Sequence, residues 1–118
     1  MQTYTASCHC GLVRYQFTTS LNEVVECNCS YCRRKAALHH RVMEAEFTLL
    51  EGETALSAYK FGTMTATHYF CSQCGSHTHC RPRSNPLQVN VNVRMMDNFD
   101  EVKDALQIRQ YNGKSWDL

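Results

Sequence analysis

Apolar residues recur at every second position through much of this chain. Val13, Tyr15 and Phe17 alternate with Arg14 and Gln16 after Gly11, the period of a strand with one buried face. Short runs at Phe47–Leu50, Ala55–Phe61, Thr65–Phe70 and Leu87–Val93 predict further strands. In the last, Leu87, Val89, Val91 and Val93 share one face and Gln88, Asn90 and Asn92 the other. Helical spacing appears at Asn98–Leu106, where Phe99, Val102 and Leu106 align and Asp97 is placed to cap the start. Gly52, Gly62, the Arg81–Pro86 loop and the Asn112-Gly113 turn punctuate these runs, with no repeat or low-complexity segment between them. The pattern predicts a mainly β chain.

Length changes the picture by making a metal staple useful: 118 residues fit one domain, 1–118, large enough for a core but small enough to gain from a bound ion. A formal net charge of +1 and a pI near 7.6 lack the basic field of sequence-independent nucleic-acid binding, so no nucleic-acid partner is expected. The opening MQTYTASCHCG lacks the basic patch and apolar run of a signal peptide. No stretch approaches the ~20 apolar residues of a membrane span, so no membrane partner is expected and the location expected is cytoplasmic. In a reducing compartment, eight cysteines point to metal ligands, with four disulfides as the alternative.

The cysteines divide by spacing. Cys8-His9-Cys10-Gly11 and Cys71-Ser72-Gln73-Cys74-Gly75 are two close pairs, each followed by glycine. A metal knuckle needs such a sharp turn, because glycine accepts the positive φ that lets backbone N–H groups point at thiolate sulfurs. Together they predict a closed four-thiolate zinc site with a structural role, tying the N-terminal strand to a later hairpin.

Cys27-Asn28-Cys29-Ser30-Tyr31-Cys32 has three thiols and no following glycine. Three protein ligands and a vacant fourth position are the pattern of a reactive zinc acting as Lewis acid, which brings the count to two zinc ions per chain. The alternative is that Cys80, or one of His39, His40, His77 and His79, closes this site into a second structural zinc. His39 and His40 would point to opposite faces of a strand, so at most one could face the metal. Three thiolates around zinc(II) leave a net −1 that Arg33, Arg34 and Lys35 could offset while attracting an anionic ligand; the competing reading is a solvated charged surface. Tyr31, His39, His40 and His68 are candidate proton-transfer groups, with packing or surface roles as the alternative.

The set Cys8-x-Cys10-Gly11, Cys27-x-Cys29-x-x-Cys32 and Phe70-Cys71-x-x-Cys74-Gly75 resembles the glutathione-dependent formaldehyde-activating enzyme family, which includes centromere protein V. The resemblance extends to Cys32-Arg33-Arg34, Phe47-x-Leu49-Leu50-x-Gly52, Tyr59, Pro82-Arg83-Ser84-Asn85-Pro86 and Tyr111-Asn112-Gly113-x-x-Trp116, the last two looking closest to the centromere protein V branch. It implies an Mss4-like fold of small antiparallel sheets, a structural zinc on Cys8, Cys10, Cys71 and Cys74, and a catalytic zinc on Cys27, Cys29 and Cys32. It also implies carbon–sulfur lyase chemistry joining formaldehyde to the thiol of glutathione as S-hydroxymethylglutathione. A non-catalytic module that binds a thiol adduct or a protein partner is the other function compatible with the family. Many members carry a glycine shortly after the third catalytic-site cysteine, whereas this chain reads Arg33-Arg34-Lys35-Ala36-Ala37, which predicts a differently shaped loop there.

Overall fold

The computed structural model describes residues 1–85 and 87–116, without side-chain detail for the last two; Pro86 and the Trp116 side chain, both part of the resemblance, lie outside the described residues. Ten strands form two sheets. β1 (Gln2–Ser7), β2 (Arg14–Thr19) and β5 (Phe47–Glu51) make a three-stranded antiparallel sheet in the order β1-β2-β5. β3 (Glu23–Cys27), β4 (His39–Met43), β6 (Leu56–Tyr59), β7 (Thr67–Cys71), β8 (His77–Arg81), β9 (Gln88–Asn92) and β10 (Gln107–Tyr111) make a seven-stranded sheet in the order β10-β3-β4-β9-β8-β7-β6. Only the β10–β3 pair in it is parallel. The mainly β reading holds, and the architecture is that of the Mss4-like fold.

The core lies where the small sheet covers the middle of the large one. Tyr15 and Phe17 from β2 and Ala6 from β1 meet Val24, Val42, Val89 and Val91, all buried. Alternation put Tyr15 and Phe17 on one face, and each such side chain contributes about 1.5–3 kcal/mol by leaving water. The buried Tyr15 hydroxyl donates to the carbonyls of Thr78 (2.9 Å) and Asn92 (3.2 Å), so this polar group joins the sheets without being stranded.

Several boundaries differ from the periodicity. Leu87 is 59% exposed, because β9 begins at Gln88, and Val93 is buried in a 3-10 turn that follows the strand. The 98–106 segment is not one continuous helix. A helical turn, α2 (Phe99–Val102), gives way to a 3-10 turn over Lys103–Ala105, although Phe99, Val102 and Leu106 do pack on the core. Asp97 does not cap it: its carboxylate accepts from Thr5 Oγ1 (3.0 Å) and Ser7 Oγ (2.8 Å), and Asn98 occupies the cap position without a side-chain bond. A further helix, α1 (Ser30–Lys35), forms where periodicity predicts none. Among the described residues, no helix is long and apolar enough to cross a membrane.

Candidate metal centres and pocket

The two cysteine knuckles sit at hairpin turns, one after β1 and one after β7. Gly11 (φ +83°) and Gly75 (φ +77°) take the left-handed conformation that the spacing called for. The amide of Val13 points at Cys8 Sγ from 3.3 Å, and Ser76 Oγ lies 3.3 Å from Cys74 Sγ. Burial works against ionising Cys74, but the hydroxyl and amide of Ser76 and the backbone of Cys10 bring it down to about 5. The four sulfurs of Cys8, Cys10, Cys71 and Cys74 lie within 4.8 Å of one another, with Cys8–Cys10 at 3.6 Å and Cys10–Cys71 at 3.7 Å. Metal–sulfur bonds of ~2.3 Å in a tetrahedron put sulfurs roughly 3.8 Å apart, so this set fits a closed four-thiolate ion. An ion there would clamp the β1–β2 hairpin to the β7–β8 hairpin, joining the two sheets.

The second group is built by α1. Cys29 is its N-cap, and Cys29 Sγ accepts from Cys32 N at 3.3 Å, so a sulfur takes the place usually held by a Ser or Asp oxygen. Six residues suffice because the far end is also tied. Ala36 adopts the left-handed conformation (φ 53°), its N–H returns to Cys32 O, and Arg94 Nε holds the Ala36 carbonyl at 3.0 Å. The chain thus makes with alanine a helix end that glycine makes more cheaply. The third sulfur comes from Cys27 at the end of β3, where Asn28 N bonds Tyr111 O (3.2 Å) and Lys114 N bonds Asn28 Oδ1 (3.1 Å). Gly113 packs directly on Cys27 Sγ and Cys29 Cβ.

The sulfurs of Cys27, Cys29 and Cys32 all lie within 4.8 Å of one another. Hydrogen bonding to Cys27 and then burial push the Cys32 thiol far up. Three thiols this close resist ionising together unless a cation balances them, so the donor set fits a metal ion with one position left for another ligand.

This group opens on a pocket of about 640 Å³, a size suited to a small organic ligand. Its wall includes Cys27, Cys29 and Cys32 with His39, His68 and Cys80, and none of the four knuckle cysteines. His39 Nε2 lies 3.5 Å from Cys32 Sγ, but among the described residues the metal-spaced group contains the three cysteines alone. Burial, then the nearby Lys35 charge, hold His39 and His68 neutral, each lowered to about 3. His40 faces elsewhere, bonded to Thr19 Oγ1 (2.8 Å) and Glu23 O (3.0 Å). His79 stacks on Tyr69, and Tyr31 packs among Tyr59, Phe61 and His68 rather than lining the pocket.

Arg33 and Arg34 are exposed on α1 and do not line the pocket; Arg34 Nη1 is spent on Ser30 O at 2.6 Å. The guanidinium groups on the pocket wall belong instead to Arg41, Arg83 and Arg109. Arg41 Nε is held by Asn90 Oδ1 (3.1 Å) and Arg109 Nε by Glu23 Oε1 (3.1 Å). The arginines next to the cysteines in sequence, Arg33 and Arg34, are thus not the ones on the pocket wall. Arg41 and Arg109 reach the pocket from β4 and β10, strands that the periodicity does not reveal, and no sequence signal marks them.

The family model described as glutathione-dependent formaldehyde-activating enzyme matches residues 3–112. A crystal structure of a Rhodobacter sphaeroides protein from a structural genomics effort superposes with a TM-score of 0.81 at 31% identity, covering 91% of this chain and 99% of that one.

Proposed function

This chain belongs to the glutathione-dependent formaldehyde-activating enzyme family, and from that premise we propose that it is a zinc-dependent carbon–sulfur lyase handling a thiol–aldehyde adduct such as S-hydroxymethylglutathione. The observation that carries the proposal is the asymmetry between the two cysteine groups: the three-thiol set lines the 640 Å³ pocket and the four-thiol set does not. A closed site has no position for substrate, whereas an open one does. Cys8, Cys10, Cys71 and Cys74 would hold a structural zinc, and Cys27, Cys29 and Cys32 a reactive one. The reactive ion supplies Lewis acidity, favouring ionised thiol and a polarised aldehyde.

The remaining work falls to the chain's own residues. Arg41, Arg83 and Arg109 offer charge-assisted contacts for the carboxylates of a thiol such as glutathione. Phe61 and Pro82 add apolar surface to the wall beside these charged groups. In adduct formation the sulfur pair attacks the carbonyl carbon, the C=O π pair moves to oxygen, and that oxygen takes a proton; breakdown reverses each movement. Holding sulfur and carbon together converts a bimolecular encounter into an oriented one. Reduced thiols in both clusters suit a reducing, cytoplasmic setting.

Exchange spectroscopy on an equilibrated mixture of formaldehyde and glutathione tests the reading, because an enzyme accelerates formation and breakdown alike. Catalytic amounts of the zinc-loaded chain should speed exchange, and Cys29→Ser should abolish the effect. Uncatalysed exchange with bound adduct visible would instead make the protein a carrier, and absence of any binding would exclude this thiol–aldehyde pair.

A further inference from the structure

We propose that Lys35 and His68 form a proton-handling pair in which Lys35 fixes His68 as an Nε2–H donor toward the pocket, making His68 a catalytic residue for the oxygen of the adduct and Lys35 its positioning residue. The inference deepens the lyase reading and rests on it.

Lys35 Nζ lies 3.0 Å from His68 Nδ1. A lysine ammonium has only protons to give, so Nδ1 must accept, and the ring's own proton must sit on Nε2. The ammonium is itself held in place, 4.4 Å above the centre of the Tyr31 ring. The plane of the imidazole is set by stacking on Phe61 (5.5 Å between centres, 19°) and by the Tyr31 ring edge-on to it (4.7 Å, 71°), and the bond to Lys35 selects which edge faces Nζ. His68 is buried and lines the pocket that holds the three thiols, and with Nδ1 occupied its Nε2–H is the donor left for a molecule there. Burial lowers the Lys35 ammonium from its usual range, so it can part with a proton while it is held against His68 and over Tyr31.

The pair balances the step. As sulfur bonds to the carbonyl carbon, the π pair on oxygen takes the Nε2 proton while a Lys35 proton moves to Nδ1. The proton that the thiol released on ionising then returns to Nε2 while Nδ1 gives its proton back to the Lys35 amine, so thiol plus formaldehyde gives hydroxymethyl thioether and the pair regains its starting tautomer and charge. This role differs from that of Arg33 and Arg34, which neighbour the same ligand but face solvent.

Two measurements on the zinc-loaded chain decide it. Nitrogen-15 shifts of labelled histidine in the wild type should report His68 protonated at Nε2, a state lost to a tautomer mixture in Lys35→Met and retained in Lys35→Arg. Exchange acceleration should fall by about 10²–10³ in His68→Gln, the usual loss for one aimed donor, with zinc content unchanged. Protonation of wild-type His68 at Nδ1 would overturn the pairing whatever the activity. A wild type that accelerates exchange while His68→Gln keeps its rate would overturn the catalytic role and leave the lyase standing. A wild type without acceleration would overturn the lyase reading and this role with it.

Discussion

Gly113 offers a perturbation whose effect can be worked from the structure alone. Its backbone is not in the positive-φ region, so alanine is conformationally acceptable there. The obstacle is space: an added Cβ would overlap Cys27 Sγ and fall 2.9 Å from Cys29 Cβ and 3.2 Å from Cys29 N. Two of these three neighbours are the Cys29 backbone and its Cβ, so relief of the overlap falls on the Cys27 side chain. Overpacking of this kind costs about 1–3 kcal/mol. If the strain is relieved by displacing one of three ligands, it appears as lost metal affinity at that site, about 10- to 100-fold at ~1.4 kcal/mol per tenfold. Gly11→Ala is the matched control. Nothing lies within 4 Å of its added Cβ, but its φ of +83° makes any side chain there cost about 1–2 kcal/mol, and the penalty falls on the four-cysteine knuckle. Titration with a chromophoric chelator would resolve metal at the two cysteine groups by order of release. Gly113→Ala should weaken the first-released metal and leave the tighter one as in the wild type. Wild-type release of both metals, or earlier loss from the knuckle site, would refute the assignment of Gly113 as the wall of the three-cysteine centre.

The same division of labour predicts different outcomes for ligand loss: Cys10→Ser should lower thermal stability sharply, because an ion there would clamp two hairpins, while Cys29→Ser should stay folded with one metal fewer by elemental analysis. Equal loss of folded signal by circular dichroism in both would contradict it. For the anion, Arg41→Gln with Arg83→Gln should weaken binding of a carboxylate-bearing thiol about tenfold and flatten its salt dependence, whereas Arg33→Gln with Arg34→Gln should leave calorimetric affinity unchanged. The reverse ranking would return the anion site to α1.

The core was legible where burial is one-sided. Tyr15 and Phe17 are buried at alternate positions because β2 has one face on the core, Val13 just before it is buried against Cys8 and Cys71, and the cysteine knuckles announced themselves because a metal turn needs both fixed ligand spacing and a glycine conformation. The pocket was legible in part: Cys27, Cys29, Cys32, His39, His68 and Cys80 were candidates and line it, but the elements that complete its wall break the rules that make strands and helices visible. β8 reads His77-Thr78-His79-Cys80, polar by composition yet buried at each of these positions, since it runs mid-sheet between β7 and β9. β10 is exposed at every side chain and is held through its parallel backbone pairing with β3, so no hydrophobic pattern could reveal it. α1 is too short for a helical period and exists because a cysteine sulfur caps one end and a left-handed alanine the other.

These illegible elements are the ones that carry chemistry, and the reason is physical. A pocket wall must present polar, titratable side chains to its interior, so the strands that build it give up the apolar alternation by which strands are recognised. His39 on that wall shows the consequence: among the described residues its buried Nδ1 has no hydrogen-bond partner, a cost that an apolar residue at the same position would not carry. Arginine recruitment follows the same logic. Arg33 and Arg34 adjoin the ligand Cys32 in sequence but lie on the solvent side of a helix whose buried residue is that cysteine, whereas Arg41 and Arg109 come from strands that flank β3 in space. Neighbourhood to Cys32 along the chain therefore places side chains on the outer face of α1, whereas neighbourhood to β3 across the sheet places them on the pocket wall.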